Sequence, residues 1–307
     1  MNQLGYGISI IVPCHNGGNL ITEAVESVVR QQLSISHEII VVDDGSDDPA
    51  TLTAIETSTE YVGVRVVRLL DNRGVQAARN AGLDAARFDY VLPLDCDDRL
   101  ATDSVLLTRG SYPEQAVRIL DSAPDIAFVH TFSRMFGDFD GLTISAYPCR
   151  EQLLVRKHHA PMPIVFRRAD GLAAGGYDPR VRKWQDWAFA IDLLANRNRR
   201  GVPNEIGCVA GPFHEYRIHR RFPRLSAAEV SELAMTRIIT ERNLDYFRAM
   251  FETDQSAAEL AAVVCASKPD RLTDLLHMAA SDLDQALAVA YQRHAVWSSP
   301  ADSLGIP

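Results

Sequence analysis

The sequence predicts an α/β fold, with a mostly parallel central sheet carrying helices on both faces and an all-helical extension at the C-terminal end. Three observations carry this reading. Near-continuous apolar runs of strand length (ISIIVP, EIIVV, VRVVRLL and YVLPLD) recur through the first hundred residues, and such runs mark strands buried on both faces. Helical stretches with a 3.6-residue apolar period separate them. Beyond Pro223 the strand signals stop and only helical patterning remains.

The elements follow in order. ISIIVP is a short strand that Pro13 is expected to break, with His15, Asn16, Gly17 and Gly18 forming the loop after it. The next segment puts Ile21, Ala24, Val25, Val28 and Val29 on one helical face, and Asn19 is the expected N-cap. EIIVVDDGS is a second strand ending in acids and glycine. Asp48 before Pro49 reads as N-cap plus first-turn proline of the second helix. VRVVRLL is the third strand, Gly74 opens an alanine-rich helix running to Ala86, and YVLPLD is the fourth strand.

From 100 to 225 the pattern is mixed. A helix is expected over Glu114–Asp121, a strand of a mixed or antiparallel extension at IAFVHTFSRMF, a glycine- and alanine-rich stretch at Gly171–Gly176, and a helix around Trp187–Ala195. Near the C-terminal end, Leu272, Leu275, Leu276, Ala279, Leu283, Ala286, Leu287 and Ala290 make one apolar stripe, expected to pack on the main body, with a homodimer interface as the alternative. The expected division is 1–225, comprising halves 1–100 and 101–225, and a helical extension over 226–307.

Composition narrows the function. The 307 residues carry a formal net charge of −9 with a pI near 5.5, against general nucleic-acid binding. Yet Arg150–Arg224 holds fifteen Lys/Arg against seven Asp/Glu, so a local site for an anionic ligand stands beside the plainer reading of solvated faces. Five scattered cysteines without CxxC spacing point to a reducing compartment and away from a disulfide scaffold or zinc site. No signal peptide and no membrane span is read in the sequence, so a cytoplasmic location is expected, with peripheral contact to a membrane surface left open.

The polar clusters His15–Asn16, Asp43–Asp44, Asn72–Arg73 and Asp95–Asp98 all fall at the ends of predicted strands, where parallel α/β sheets bind ligands. Asp95-Cys96-Asp97 sets two carboxylates on a tight turn. That donor set suits a hard divalent cation, Mn2+ or Mg2+; the alternative is an acidic surface turn. Cys96 reads as a small spacer, because those cations prefer oxygen.

SIIVPCHN, EIIVVDDGSDD, NRGVQAARNAG and VLPLDCDD occur in that order and at suitable spacing. Together they resemble the family-2 inverting glycosyltransferases of the GT-A fold, which transfer a sugar from a nucleotide-sugar donor. The likeness is strong over residues 7–100, fair from about 160 to 225, and absent over the last eighty or so. It implies that Asp44 accepts a hydrogen bond from the donor's base, and that Pro13 and His15 line the nucleoside pocket. Asn72, Gly74, Arg79 and Asn80 match a segment bordering the nucleotide, where Arg79 either braces the acidic turn or reaches the donor. Asp97 matches the metal-coordinating acid, Asp95 contacts ribose or metal, and Asp98 supports the turn.

Further along, GGYDPRVRKWQDWAFAIDLL resembles the family segment that carries the catalytic base, which places that role on Asp186. Gln185 departs from the usual Glu there and leaves the acceptor type open. EYRIHRRFPR resembles a segment that closes over the donor, implying His219 as third metal ligand or diphosphate contact, with Arg217, Arg220 and Arg221 supplying positive charge. The resemblance thus implies a UDP-, GDP- or dTDP-sugar donor and a carbohydrate, lipid-linked or small-molecule acceptor, in polysaccharide or glycoconjugate synthesis. A catalytically silent sugar-nucleotide binder of the same fold is the competing reading.

Overall fold

The computed structural model describes residues 5–138, 140–143, 148–156, 163–218, 230–266 and 284. Strand and helix alternate through the first hundred: β1 (Gly5–Cys14), α1 (Leu20–Val29), β2 (His37–Asp44), α2 (Pro49–Ser58), β3 (Val64–Leu69), α3 (Val75–Ala85) and β4 (Phe88–Pro93). These strands pair in parallel in the order β3-β2-β1-β4. Successive side chains leave opposite faces of a strand. Ile40 and Val42 therefore join one apolar core with Ala78 and Leu83 of α3, while Ile39 and Val41 join another with Ile21 and Val25 of α1. Burial on both sides is why the β1, β2 and β4 runs show no polar alternation. β3, expected to be buried on both faces, is instead the edge strand, only partly buried, and carries Arg65 and Arg68.

The chain continues through β5 (Arg99–Leu100), α4 (Ser104–Leu107), α5 (Tyr112–Ser122), β6 (Ile126–Gly137), β7 (Gly141–Thr143), α6 (Glu151–Leu154), β8 (Val165–Arg167), α7 (Arg168–Ala173), α8 (Gln185–Arg199) and β9 (Glu205–Ile218). This half makes the sheet mixed. β8 is antiparallel to β4 and to β6, β9 runs parallel to β6, and β5 and β7 lie antiparallel to β9 and β6. Helices α9 (Glu232–Arg242), α10 (Leu244–Phe251) and α11 (Ala257–Ala266) follow, and Ile239, Phe247, Leu260 and Val264 pack into the core that holds Phe189 and Ile191 of α8. The stripe from Leu272 to Ala290 lies outside the described residues. Among those described, no helix is long and apolar enough to cross a membrane.

Several details differ from expectation. Pro13 does not break β1, which runs on to Cys14 with Pro13 opposite Val42. The β1–β4 ladder ends at Ile11, whose carbonyl accepts from Leu94 N–H. Pro13, two residues on, faces the same side past the end of that ladder, where its missing N–H costs nothing. Asn19 makes no capping bond, because its backbone is already helical at φ −76°. Asp48 does cap, accepting from Thr51 N–H at 2.8 Å. The helix expected over Trp187–Ala195 starts earlier, at Gln185, which puts Asp186 in its first turn.

His130 on β6 is fully buried, and neither ring nitrogen has a hydrogen-bond partner. Burial disfavours the imidazolium and pulls its pKa down to about 4. The unfolded chain takes up that proton near pH 6.5, so the stabilisation is complete above that pH and is lost as pH falls toward 4. The loss amounts to about 3 kcal/mol from this one group. His130→Leu should remove it. In urea titrations the variant's stability relative to wild type should rise by about that amount between pH 7 and pH 4. The comparison is read as a difference because Asp192, pushed up to about 6 by burial, titrates in the same range.

Candidate active site

The carboxyl ends of β1, β2 and β4 meet on one edge, and the loops there are tied together. His15, exposed beyond β1, donates from Nδ1 to the Asp44 carbonyl at 2.9 Å. Asn16 sits in the left-handed region at φ 51°, which asparagine tolerates, and its side-chain oxygen accepts from the N–H groups of Asp47 and Asp48. Pro13 is buried beneath this loop. The Asp44 carboxylate, also buried, accepts from the N–H groups of Arg73 and Gly74, each at 2.8 Å, and so fixes the loop that carries Asn72. Gly45 makes that approach possible. Its φ is +67°, and a Cβ there would lie 2.6 Å from Asn72 N.

Beyond β4 the acidic turn brings oxygens of Asp95, Asp97 and Asp98 within 4.8 Å of one another. Burial, reinforced by Asp98 and Asp95, pushes the Asp97 carboxyl up to about 7. Three converging oxygen donors whose mutual repulsion a cation would relieve fit a hard divalent ion. Cys96 turns toward β1: a Cβ on Gly17 would meet the sulfurs of Cys14 and Cys96 at 3.1 and 3.2 Å, consistent with a small spacer.

Arg79, buried on α3, forks between two acids. Its Nη2 donates to Asp95 Oδ1 at 2.6 Å and its Nη1 to Asp186 Oδ1 at 2.8 Å. Burial opposes its charge, but Asp95 and Asp186 outweigh that and hold the guanidinium protonated. The guanidinium lies over the Tyr177 ring at 5.1 Å, and Tyr177 stacks on Phe189 of α8 at 4.1 Å. Asn80, one residue on, grips the same segment by accepting from Tyr177 N–H and donating to the Tyr177 carbonyl. Gly176 lets Asn80 in, since a Cβ there would lie 2.4 Å from the amide oxygen. The two distant motifs NRGVQAARNAG and GGYD are therefore two sides of one contact.

Asp186 does not cap α8; it faces Arg79. Burial raises its pKa and Arg79 works against the rise. About 35% of the side chain stays exposed, which leaves the carboxylate reachable. Gln185 is buried and donates to the Arg182 carbonyl. Trp184, just before, is held at φ 60°, an unfavourable conformation for a bulky residue and one without a signal in the sequence. Arg242 and Asn243 anchor α8 from behind through Asp192.

Arg217 is committed to the turn rather than free for phosphate. Its backbone N–H donates to Asp98 Oδ1, its Nε to the Asp97 carbonyl, and its Nη2 to Glu23. His219, Arg220 and Arg221 lie outside the described residues. Sequence reasoning missed Tyr177, Glu23, Ser133 and His214 as partners of this site.

Residues 9–161 match the model of Glycosyl transferase family 2. The chain belongs to that family. It is 27% identical over 261 residues to the succinoglycan biosynthesis protein ExoO of Rhizobium meliloti, covering 81% of this chain and 67% of ExoO. It is 28% identical over 206 residues to a teichoic acid poly(glycerol phosphate) polymerase of Staphylococcus epidermidis, covering 65% of this chain but 27% of the polymerase. Of an uncharacterized glycosyltransferase from Haemophilus influenzae, also 27% identical, it spans 62%. Among solved structures, S. aureus TarS 1–349 in complex with UDP-GlcNAc aligns with TM-score 0.63 at 19% identity, over 85% of this chain and 72% of TarS 1–349. Mannosyltransferase PcManGT from Pyrobaculum calidifontis, in complex with GDP-Man and Mn2+, aligns with TM-score 0.52 at 18% identity, over 96% and 81% of the two chains. The fold of this family 2 glycosyltransferase is GT-A.

Proposed function

We propose that the protein is an inverting transferase that moves a sugar from a nucleoside-diphosphate donor to an acceptor hydroxyl, with Asp186 as general base. The observation that carries this is the Arg79 fork, which holds Asp186 beside the acidic turn at the sheet's ligand-binding edge. The acceptor oxygen attacks the anomeric carbon and its proton passes to the Asp186 carboxylate as the bond to the diphosphate breaks. Asp44, Asn72, Gly74, Pro13 and His15 frame the nucleoside. Asp95 and Asp97 hold a divalent ion, Mn2+ or Mg2+, with His219 as a further ligand or diphosphate contact. When bound, such an ion neutralises charge on the leaving diphosphate. The nucleotide sugars in the TarS and PcManGT structures support this donor class, and the ExoO and polymerase relatives support a role in glycan or polymer synthesis. The expected setting is cytoplasmic, and 226–307 is read as a helical extension of the 1–225 domain, whose described helices share its core.

Thermal shifts with UDP-, GDP- and dTDP-sugars, each with and without Mn2+, test the reading. One donor base should raise Tm in wild type by mass action, and more so with Mn2+. Asp97→Ala should lose the metal-dependent part. No shift with any donor, or an unaltered metal effect in Asp97→Ala, sinks the assignment. Donor binding without transfer or hydrolysis would favour the silent binder instead.

A further inference from the structure

We propose that Ser133 and His214 are positioning residues that hold Asp98 and thereby set the acidic turn for its cation, an inference that rests on the metal-site reading above. Ser133 Oγ lies 2.8 Å from His214 Nδ1, and His214 Nε2 lies 3.2 Å from Asp98 Oδ2. All three side chains are buried, between strands and turn rather than at the exposed edge, so Ser133 is no nucleophile despite the serine–histidine–aspartate order. The other Asp98 oxygen accepts from Arg217 N–H at 2.8 Å. Both carboxylate oxygens are thus aimed by β9, while Arg217 also holds the Asp97 carbonyl.

A break in strand pairing creates this contact. On β6 and β9, Thr131 pairs with Val209, but Ser133 pairs with His214, so the four residues Ala210–Phe213 of β9 stand against Phe132 alone, three more than β6 supplies. Bulges re-aim side chains near sites. Thr131 Oγ1 pins this one through the Val209 and Gly211 carbonyls, and Ala101 N–H reaches the Phe213 carbonyl. Past the bulge, His214 faces Leu100 of β5 in register, two residues beyond Asp98. An ionised carboxylate only accepts, so Nε2 carries the hydrogen and Nδ1 accepts from the serine hydroxyl. Asp98 thereby sets the tautomer and Ser133 holds the ring in it by donating to Nδ1, much as outer partners orient metal ligands.

The test measures Mn2+ affinity, by loss of the free-ion EPR signal, together with Tm for each variant. His214→Leu should weaken Mn2+ binding by about 10-fold, and Ser133→Ala by about 3-fold. His214→Gln, which keeps a donor near the Nε2 position, should stay within about 3-fold of wild type. A merely structural histidine would lower Tm without moving Mn2+ affinity. If His214→Leu fails to fold, Ser133→Ala decides. Unchanged Mn2+ binding in folded Ser133→Ala and His214→Leu, with binding lost in Asp97→Ala, overturns this inference alone. Equal loss in the Gln and Leu variants overturns it too, because packing rather than a donated hydrogen would then be at work. Unchanged binding in Asp97→Ala overturns the metal reading and this inference with it.

Discussion

Asp186→Asn should lower kcat by about 1,000-fold, the middle of the range for loss of a general base, while leaving donor affinity and Tm close to wild type. The substitution keeps the side chain's shape and an oxygen to accept from Arg79 Nη1, so the fork and the acidic turn persist. It removes only the capacity to take a proton. Donor affinity is the discriminating measurement, because the residues proposed to frame the nucleoside lie at and beyond the ends of β1, β2 and β3 and none is on α8. A fall in donor affinity as large as the fall in kcat would mean that Asp186 binds the donor instead. Unchanged kcat would show that another group takes the proton.

The first half of the fold was legible because its signals are local. A strand buried on both faces is apolar throughout, and each such run ends in the residues that reach the ligand edge. Asp48–Pro49 likewise states its own cap. β9 was not legible: EIGCVAGPFHEYRI mixes glycine, proline and charge, because its middle is a bulge and only the part beyond it also pairs with β5. The wiring of the site was hidden for a similar reason. Arg79 bonds partners 16 and 107 positions away, and no local pattern distinguishes bracing the turn from reaching the donor. His214 and Asp98 are 116 positions apart, joined only through a register shift. Motif strings gave the residue types, and the sheet decided who touches whom.

Arg79→Met should produce the largest loss of stability of any single change at the site. The side chain is buried, and removing it strands two carboxylates beside a turn already crowded with acids. Breaking a buried ion pair costs about 3–5 kcal/mol. Here Asp95 and Asp186 remain 38% and 35% exposed, and water can screen them, so about 2–3 kcal/mol is expected. Urea unfolding should show this as a lower midpoint with an unchanged slope. Arg79→Lys should recover only part of it: a single ammonium keeps the charge but cannot repeat a planar fork to two acids. The decisive comparison is the double variant Arg79→Met with Asp186→Asn. If electrostatic stranding causes the loss, neutralising one acid should make the double variant more stable than Arg79→Met alone. If the double variant is no more stable than Arg79→Met, the fork contributes packing against Tyr177 and Phe189 rather than charge compensation, and α8 is held in place by its apolar face alone.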